Sequence, residues 1–295
     1  MLKNVNDPEY KEYKGFCDTF NKGTDIRRWL EDKRLFVLDM DGTFYLDGIP
    51  YEHSLSFLDK LLTSGRQYIF FTNNSSKSNS FYINKLKSIG VRAENLKVIT
   101  SGDVTINFLK SHYPGTRVYL MGTAQLMLDF AVAGIDLVDE NEADAVDVVV
   151  CGFDMEMTYP KMVAACRFIR NGAVFLATHT DYNCPVADGF IPDCGSMCAM
   201  ITASTGIRPR YLGKPNWEVI EAIMKETGFA KGEIVFAGDR LYTDIATGFN
   251  FGVSTVLVLS GETTPETLSS SKEKPDVVVP FLSDLSAYLD ICVPG

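Results

Sequence analysis

Short, largely apolar segments alternate with segments of helical spacing along the chain after residue 33. Three of them have strand length: Arg34–Leu38, Gln67–Phe71 and Lys97–Thr100. Continuous apolar strands are typical of a parallel sheet that helices cover on both faces. The β-α-β-α succession therefore predicts an α/β fold with a doubly wound parallel sheet.

The alternation restarts near Pro114-Gly115, with predicted strands at Arg117–Met121, Val146–Cys151 and Ala173–Ala177. We expect 115–208 to be an inserted domain, and 1–114 with 209–295 to be the core domain. Within the core, 1–31 is a weakly patterned N-terminal extension with one short helix, which Thr24 could cap. The chain after the last predicted strand, Thr255–Leu259, is expected to be a polar tail.

Charge and hydropathy argue against two kinds of partner, nucleic acids and membranes. The net charge is -10 and no basic stripe is present, which argues against a nucleic-acid partner. No apolar stretch approaches the roughly 18 residues of a membrane-spanning helix, and the N-terminus lacks the apolar region of a signal peptide. We therefore expect no membrane association and a cytoplasmic location.

The seven cysteines include no C-x-x-C pair, which favours reduced thiols over a disulfide framework. A zinc site at Cys184, Cys194 and Cys198 with His179 is an alternative, but the spacing matches no strong template. Cys194 and Cys198 are four residues apart, so they would share one face of a helix as packing residues.

The first strand runs directly into Asp39-Met40-Asp41-Gly42-Thr43, two carboxylates followed by a glycine turn. Ligands of open α/β sheets bind outside the carboxyl ends of strands, and strand alternation directs Asp39 and Asp41 to the same side. Two acids there are costly to desolvate unless a cation or a hydrogen-bond network binds them. The pair predicts a metal ion, a phosphate group or both.

Three further polar clusters follow in the chain: Thr72-Asn73, Lys214 before Pro215, and Gly238-Asp239 with Asp244. Each has a structural interpretation when taken alone. Asp239 could cap the next helix, Thr72-Asn73 could form a capping loop, and Lys214 could be a solvated charge. Their occurrence in one order on one chain favours a functional site.

Together the clusters Asp39-x-Asp41-Gly-Thr, Thr72-Asn73, Lys214 and Gly238-Asp239-x4-Asp244 resemble the motifs of the haloacid dehalogenase superfamily of phosphatases. The insertion after Thr72 and the segments Asp193–Ala199, Gly213–Pro215 and Leu257–Gly261 more narrowly resemble the branch of NagD-type and 4-nitrophenyl phosphatases. The resemblance covers nearly the whole chain after residue 33. It implies a Rossmann-like core with an inserted α/β cap domain of the C2 type.

The resemblance implies a magnesium-dependent phosphomonoester hydrolase that works through an aspartyl-phosphate. Asp39 would be the nucleophile, and Asp41 would be the general acid and base. Phosphate oxygens would be bound by Thr72, Asn73, Lys214 and the backbone N–H groups around Gly42.

Magnesium ions prefer oxygen ligands and usually keep several waters, so few protein ligands suffice. The resemblance implies that Mg²⁺ is bound by the side chains of Asp39 and Asp239 and by the backbone carbonyl of Asp41. Asp244 would be a further ligand or would support the others.

The inserted domain is expected to contact the leaving group, because a phosphate site alone cannot distinguish esters. The candidates lie in the polar stretch after Ala177: Thr180, Asp181, Asn183 and Asp193. His179-Thr180-Asp181 stands where Asn-Pro-Asp is common in this branch. A mobile surface loop is the alternative interpretation.

The expected substrate is a small phosphorylated metabolite, and the resemblance allows a homodimer through the cap. A phosphotransferase using the same intermediate is one alternative, although no acceptor motif is present. A non-catalytic regulatory protein that binds phosphometabolites is another, but such a protein has no need of both Asp39 and Asp41.

Overall fold

The computed structural model describes residues 2, 4–92, 94, 96–141, 145–186 and 189–289. Cys292, the last of the cysteines considered above, lies outside the described residues, as do Met1 and Lys3 of the N-terminal extension.

The chain folds into two compact units. The core unit comprises Met1–Phe71, Ile83–Val98 and Ile223–Gly295, and the inserted unit comprises Thr72–Tyr82 and Ile99–Ala222. The inserted unit thus extends on both sides of 115–208, the range expected for the inserted domain. That range stays a prediction of the domain boundary.

The strands that lie wholly or partly in the core unit form one six-stranded sheet and one hairpin. Their bounds are β1 Leu35–Leu38, β2 Tyr45–Leu46, β3 Ile49–Pro50, β4 Gln67–Thr72, β5 Val98–Thr100, β13 Ile234–Gly238, β14 Ser254–Val258 and β15 Val277–Val279. The helices assigned to this unit are α1 Tyr10–Phe20, α2 Ile26–Trp29, α3 Ser54–Thr63, α10 Ala246–Phe251 and α11 Pro265–Ser270. Two more helices, α4 Asn79–Ser88 and α9 Trp217–Thr227, contribute residues to both units.

The six-stranded sheet has the order β15-β14-β13-β1-β4-β5. β1 pairs in parallel with β4 on one side and with β13 on the other. The next strands in the chain, β4 and β5, lie on one side of β1, and the later strands β13, β14 and β15 lie on the other side. The strand order therefore reverses between β1 and β13. This is the strand order of a doubly wound Rossmann-type sheet, so the predicted α/β class is confirmed.

The apolar sequences of the two central strands fit their burial. All four residues of β1 are buried, and all five of β13. A hairpin turns at Asp47-Gly48: β2 and β3 pair antiparallel, and both turn residues have positive φ, 51° and 77°. Two central residues with positive φ suit the right-handed twist of the flanking strands.

The inserted unit contains a second parallel sheet with the order β12-β9-β8-β6-β7 and a separate hairpin of β10 and β11. The strands are β6 Arg117–Met121, β7 Asp136–Val138, β8 Val148–Cys151, β9 Val174–Ala177, β10 Asn183–Val186, β11 Gly189–Pro192 and β12 Arg210–Tyr211. Its helices are α5 Ser101–His112, α6 Ala124–Val132, α7 Tyr159–Arg170 and α8 Cys194–Thr205. Apolar residues of β8, β9, α7 and α8 form one buried cluster in this unit.

Three expectations about the ends of the chain were wrong. The N-terminal extension carries α1, whose Cys17 belongs to a buried apolar cluster with Leu257 and Leu268. The supposed polar tail contains β15, which pairs in parallel with β14. The short helix α2 is capped by Asp25, whose side chain accepts a hydrogen bond from Arg28 N. Within the described residues, no helix is long and apolar enough to cross a membrane.

Candidate active site

Two acidic residues follow the neighbouring strands β1 and β13 at the point where the strand order reverses. Asp39 comes directly after β1, and its backbone N–H donates to Ala237 O of β13 (2.9 Å). Asp239 comes directly after β13 and is 2 % exposed. Because ligands of doubly wound sheets bind at this switch point, the fold positions both acids where a ligand is expected.

A third acid completes this cluster. Asp39, Asp239 and Asp244 each offer a carboxylate oxygen, and these atoms all lie within 4.8 Å of one another. Three convergent carboxylate oxygens are a donor set that suits a hard divalent cation such as Mg²⁺. The donor chemistry therefore fits the metal that the sequence predicted, with Asp244 alongside Asp39 and Asp239.

The surroundings of Asp239 hold its carboxylate in place. Oδ2 accepts from Glu262 N (2.7 Å), and Oδ1 accepts from the Thr43 hydroxyl (3.4 Å). A Cβ atom at Gly261 would lie 2.0 Å from Oδ2, and one at Gly42, where φ is +83°, would lie 2.6 Å from it. Only glycine at these two positions leaves room for the carboxylate.

Burial raises the pKa of Asp239 to about 7; Arg240 acts in the opposite direction, and the negative charge of Asp244 adds to the rise. Asp244 lies in a π-helical turn, Leu241–Ile245, and its Oδ2 accepts from Arg240 N (3.2 Å). Arg240, not Asp239, precedes this turn, so Asp239 is not its N-cap.

Asp41 is exposed and does not belong to the acid cluster. Its Oδ2 accepts from the hydroxyl of Tyr45 (3.3 Å). Desolvation by surrounding protein atoms raises the pKa of Asp41, against the attraction of Lys85, while the side chain keeps contact with solvent. Gly42 N–H, expected to face phosphate, donates to Tyr45 O (2.9 Å) and so closes the turn after β1.

The inserted unit brings Asn73 and Lys214 together. Asn73 Oδ1 accepts from Lys214 N (2.9 Å), and its Nδ2 donates to Lys214 O (3.2 Å) and to Asp181 Oδ2 (3.2 Å). The Asn73 amide thus binds the backbone on both sides of the Lys214 side chain, which is 3 % exposed. Thr72 Oγ1 accepts from Asn74 N (3.1 Å).

The four candidate specificity residues have different environments. Asp181 and Asp193 are buried, Thr180 is half-buried and Asn183 is exposed. Asp193 is the N-cap of α8, and its Oδ1 is 2.8 Å from His179 Nε2. Full burial lowers the pKa of His179, but the negative charges of Asp193, Cys194 and Asp181 and the hydrogen bond to Asp193 together outweigh burial and raise it to about 9.

The cysteines do not form the set considered from the sequence. Sγ atoms of Cys151, Cys194 and Cys198 lie within 4.8 Å of one another, and Cys184 is not part of this group. All three are fully buried in the apolar cluster of the inserted unit. Their surroundings fit the alternative interpretation, in which Cys194 and Cys198 are packing residues on one helix face.

Sequence reasoning did not identify Tyr45 or Lys85 as part of the site. Tyr45 is only four residues after Asp41, so the turn between them could have indicated that the two side chains are close. Lys85 lies on α4, and its contact with Tyr45 depends on the tertiary fold. Gly261 and Glu262 lie where only a polar tail was expected, although Gly261 leaves room for the Asp239 carboxylate and Glu262 N donates to it.

Comparison with known proteins identifies the family of this chain. Residues 36–136 match the family of haloacid dehalogenase-like hydrolases, and residues 211–285 match a second HAD-hydrolase-like family. An acid sugar phosphatase of Staphylococcus aureus is 31% identical over 261 residues, which is 88% of this chain and 100% of that protein. The chain therefore belongs to the haloacid dehalogenase-like hydrolases, and it is a phosphatase.

Solved structures narrow the class further. A 4-nitrophenylphosphatase from Thermotoga maritima is 42% identical with a TM-score of 0.83, over 88% of this chain and 98% of that one. A structure described as a nagD protein is 43% identical with a TM-score of 0.77, over 84% and 96% of the two chains. Within the family, the protein belongs to the NagD-like branch that contains the 4-nitrophenyl phosphatases. Phosphatases of this family generally use a divalent metal ion and act on small phosphorylated substrates.

Proposed function

We propose that the protein is a magnesium-dependent phosphomonoester hydrolase that works through an aspartyl-phosphate on Asp39. The observation that supports this most is the convergence of Asp39, Asp239 and Asp244 within 4.8 Å at the switch point of the sheet. Two of these carboxylates, Asp239 and Asp244, are buried, which is costly in the absence of a cation, so the arrangement suits a metal-assisted reaction on an anionic substrate.

The proposed roles follow from what each group can do. Asp39 attacks phosphorus, the ester oxygen departs, and water then hydrolyses the aspartyl-phosphate. Asp41 gives a proton to the departing oxygen and takes one from the attacking water. A Mg²⁺ ion held by Asp39, Asp239, Asp244 and the Asp41 carbonyl would offset the negative charges of nucleophile and phosphate.

Phosphate oxygens are proposed to be bound by Thr72 and by the Lys214 ammonium. Gly42 N–H is not proposed for this role, because it donates to Tyr45 O. For Asn73 we propose a supporting role, because its amide already binds the Lys214 backbone on both sides. Fixing that backbone limits the positions open to the lysine side chain, which favours a preorganised charge.

Sugar phosphates are the proposed substrate class, since a curated relative is an acid sugar phosphatase. Among the predicted specificity residues, Thr180 and Asn183 are the better candidates for direct contact, because Asp193 is committed to His179. The homodimer through the inserted unit stays a prediction. Buried free thiols such as Cys151 and Cys194 support the proposed cytoplasmic location, where thiols stay reduced.

The proposal is tested by phosphate release from sugar phosphates and 4-nitrophenyl phosphate, with Mg²⁺ or with a chelator. Asp39→Asn is expected to lose at least about 1,000-fold in kcat, as removal of a nucleophile does in other enzymes. Asp18→Asn, at an exposed aspartate of α1, is the matched control and should keep full activity. Turnover that survives in Asp39→Asn would exclude Asp39 as the nucleophile, and turnover unaffected by the chelator would exclude the metal.

A further inference from the structure

The hydroxyl of Tyr45 contacts the proposed general acid and base, Asp41. Tyr45 is fully buried, and its Oη lies 3.3 Å from Asp41 Oδ2. Its backbone is fixed as well, because Tyr45 N donates to Met40 O (3.2 Å) and Tyr45 O accepts from Gly42 N (2.9 Å). The phenol therefore has little freedom to leave Asp41.

Lys85 determines the direction of the hydrogen bond between Tyr45 and Asp41. Its Nζ lies 2.9 Å from Tyr45 Oη and 4.2 Å from the centre of the tyrosine ring. An ammonium group has only donors, so the hydroxyl must accept from Lys85 and can give its own proton to Asp41. The positive charge also polarises the phenol and strengthens its donation.

This arrangement distinguishes the two oxygens of Asp41. Oδ2 is occupied as the acceptor of the tyrosine proton, so a transferable proton on the carboxyl belongs on Oδ1. A carboxyl held by one oxygen also has a restricted side-chain rotation. Proton transfer depends strongly on such orientation, because donor and acceptor must come within hydrogen-bond reach.

We propose that Tyr45 and Lys85 are positioning residues that orient Asp41 for proton transfer to the leaving group. The inference rests on the proposed function, in which Asp41 is the general acid. In the first step the bond from phosphorus to the ester oxygen breaks, Asp39 takes the phosphoryl group, and the Oδ1 proton of Asp41 goes to the departing oxygen. Tyr45 keeps its proton throughout and touches no reacting atom.

The consequence is a loss that depends on the leaving group. A sugar alkoxide is a poor leaving group and needs the proton, whereas 4-nitrophenolate is stable without it. The ratio kcat/KM reports the steps up to departure of the leaving group, so the second proton transfer does not obscure the comparison. A purely structural role for Tyr45 would affect both substrates alike.

The experiment measures kcat/KM on a sugar phosphate and on 4-nitrophenyl phosphate, with saturating Mg²⁺. For Tyr45→Phe and Lys85→Met we expect a loss of about 10- to 100-fold on the sugar phosphate, a part of the 10²–10⁴-fold that general acid catalysis contributes. On 4-nitrophenyl phosphate the loss should be under about 3-fold, because little protonation is needed there.

The matched controls remove a tyrosine hydroxyl and a lysine ammonium outside the Tyr45–Lys85 pair. Tyr119→Phe deletes a buried hydroxyl that donates to Lys161 O (3.0 Å), and Lys97→Met deletes an ammonium paired with Glu226 (2.9 Å). Neither should change the ratio of the two kcat/KM values. The positioning effect of Lys85 acts through the tyrosine hydroxyl, whereas its direct attraction for Asp41 acts on the pKa of that carboxyl. When each variant is compared at its own pH optimum, Lys85→Met should therefore add nothing in the Tyr45→Phe background.

Equal losses on both substrates, or no loss on either, would overturn the positioning role. An additional loss from Lys85→Met in the Tyr45→Phe background would overturn the coupling and indicate a separate role for the lysine. Lys85 is only half-buried, so its variant keeps the test open if Tyr45→Phe does not fold. Asp41→Asn separates this inference from the proposed function. If Asp41→Asn lowers kcat/KM equally on the sugar phosphate and on 4-nitrophenyl phosphate, Asp41 is not the general acid.

Discussion

Replacing Asp239 by asparagine is predicted to stabilise the metal-free protein while removing its affinity for the metal. Asp239 is 2 % exposed and lies beside Asp244 in the acid cluster. Without a cation, burial and the neighbouring charge disfavour its ionised form, which is why its pKa rises from 3.8 to about 7. The asparagine side chain is uncharged, so its burial beside Asp244 does not have this electrostatic cost.

The magnitude follows from linkage between proton binding and folding. Because the folded state binds this proton more tightly than the unfolded chain, stability is full below pH 3.8 and falls as pH rises through about 7. A pKa difference of about 3 corresponds to at most about 4 kcal/mol at pH 8. Asparagine keeps one acceptor oxygen but mismatches one of the present hydrogen bonds, so we expect a net gain of about 1–3 kcal/mol.

Urea denaturation in a chelator at pH 8 and pH 5 measures this effect. At pH 5 the advantage of Asp239→Asn should shrink, since Asp239 is then largely protonated in the folded protein. With saturating Mg²⁺ the order should reverse, because ligand binding stabilises only the wild type. Asp18→Asn, at an exposed position, should show none of these changes. A variant less stable than wild type in chelator at pH 8 would refute the reasoning.

Two further changes test the surroundings of the site. Gly261→Ala places a Cβ 2.0 Å from Asp239 Oδ2 and should weaken Mg²⁺ binding by about 10- to 100-fold in calorimetric titration. Gly232→Ala, where a Cβ meets open space, is the control. Equal Mg²⁺ affinities of Gly261→Ala and the wild type would contradict the steric argument. His179→Gln should flatten the pH dependence of stability: the pKa of His179 is raised to about 9, so its pairing with Asp193 contributes fully below pH 6.5 and is lost as pH rises through 9. Denaturation at pH 6.5 and 9.5 should show a wild-type decrease of up to about 3 kcal/mol that the variant lacks, and parallel curves would exclude the charged pair.

The sheet of the core unit was predictable because its central strands are unambiguous. β1 and β13 are short, wholly buried and followed by acidic or glycine residues, so neither pattern is confused with an exposed helix. β15 was not predicted, since three valines between polar and proline residues are too few to show alternation. The helix α1 was missed because its mean hydropathy is low, although Cys17 is buried on one face.

The acids at the strand ends were predictable as individuals, since each follows a predicted strand. Their partners were not. Asn73 binds Lys214 across 141 positions of sequence, and Lys85 reaches Tyr45 across 40. Such pairs depend on how helices and loops pack in the tertiary fold, and no local spacing in the sequence predicts them. The contact between Asp193 and His179 was likewise not predicted, whereas a contact between Asp193 and substrate stays a prediction.

The configuration at phosphorus tests the central claim most directly. A sugar ester that is a chiral thiophosphate is hydrolysed in isotopically labelled water, and the configuration of the product is determined. Transfer to Asp39 and then to water comprises two in-line displacements, each of which inverts phosphorus, so the account predicts net retention. Net inversion would mean that water attacks the ester directly and that no aspartyl-phosphate forms.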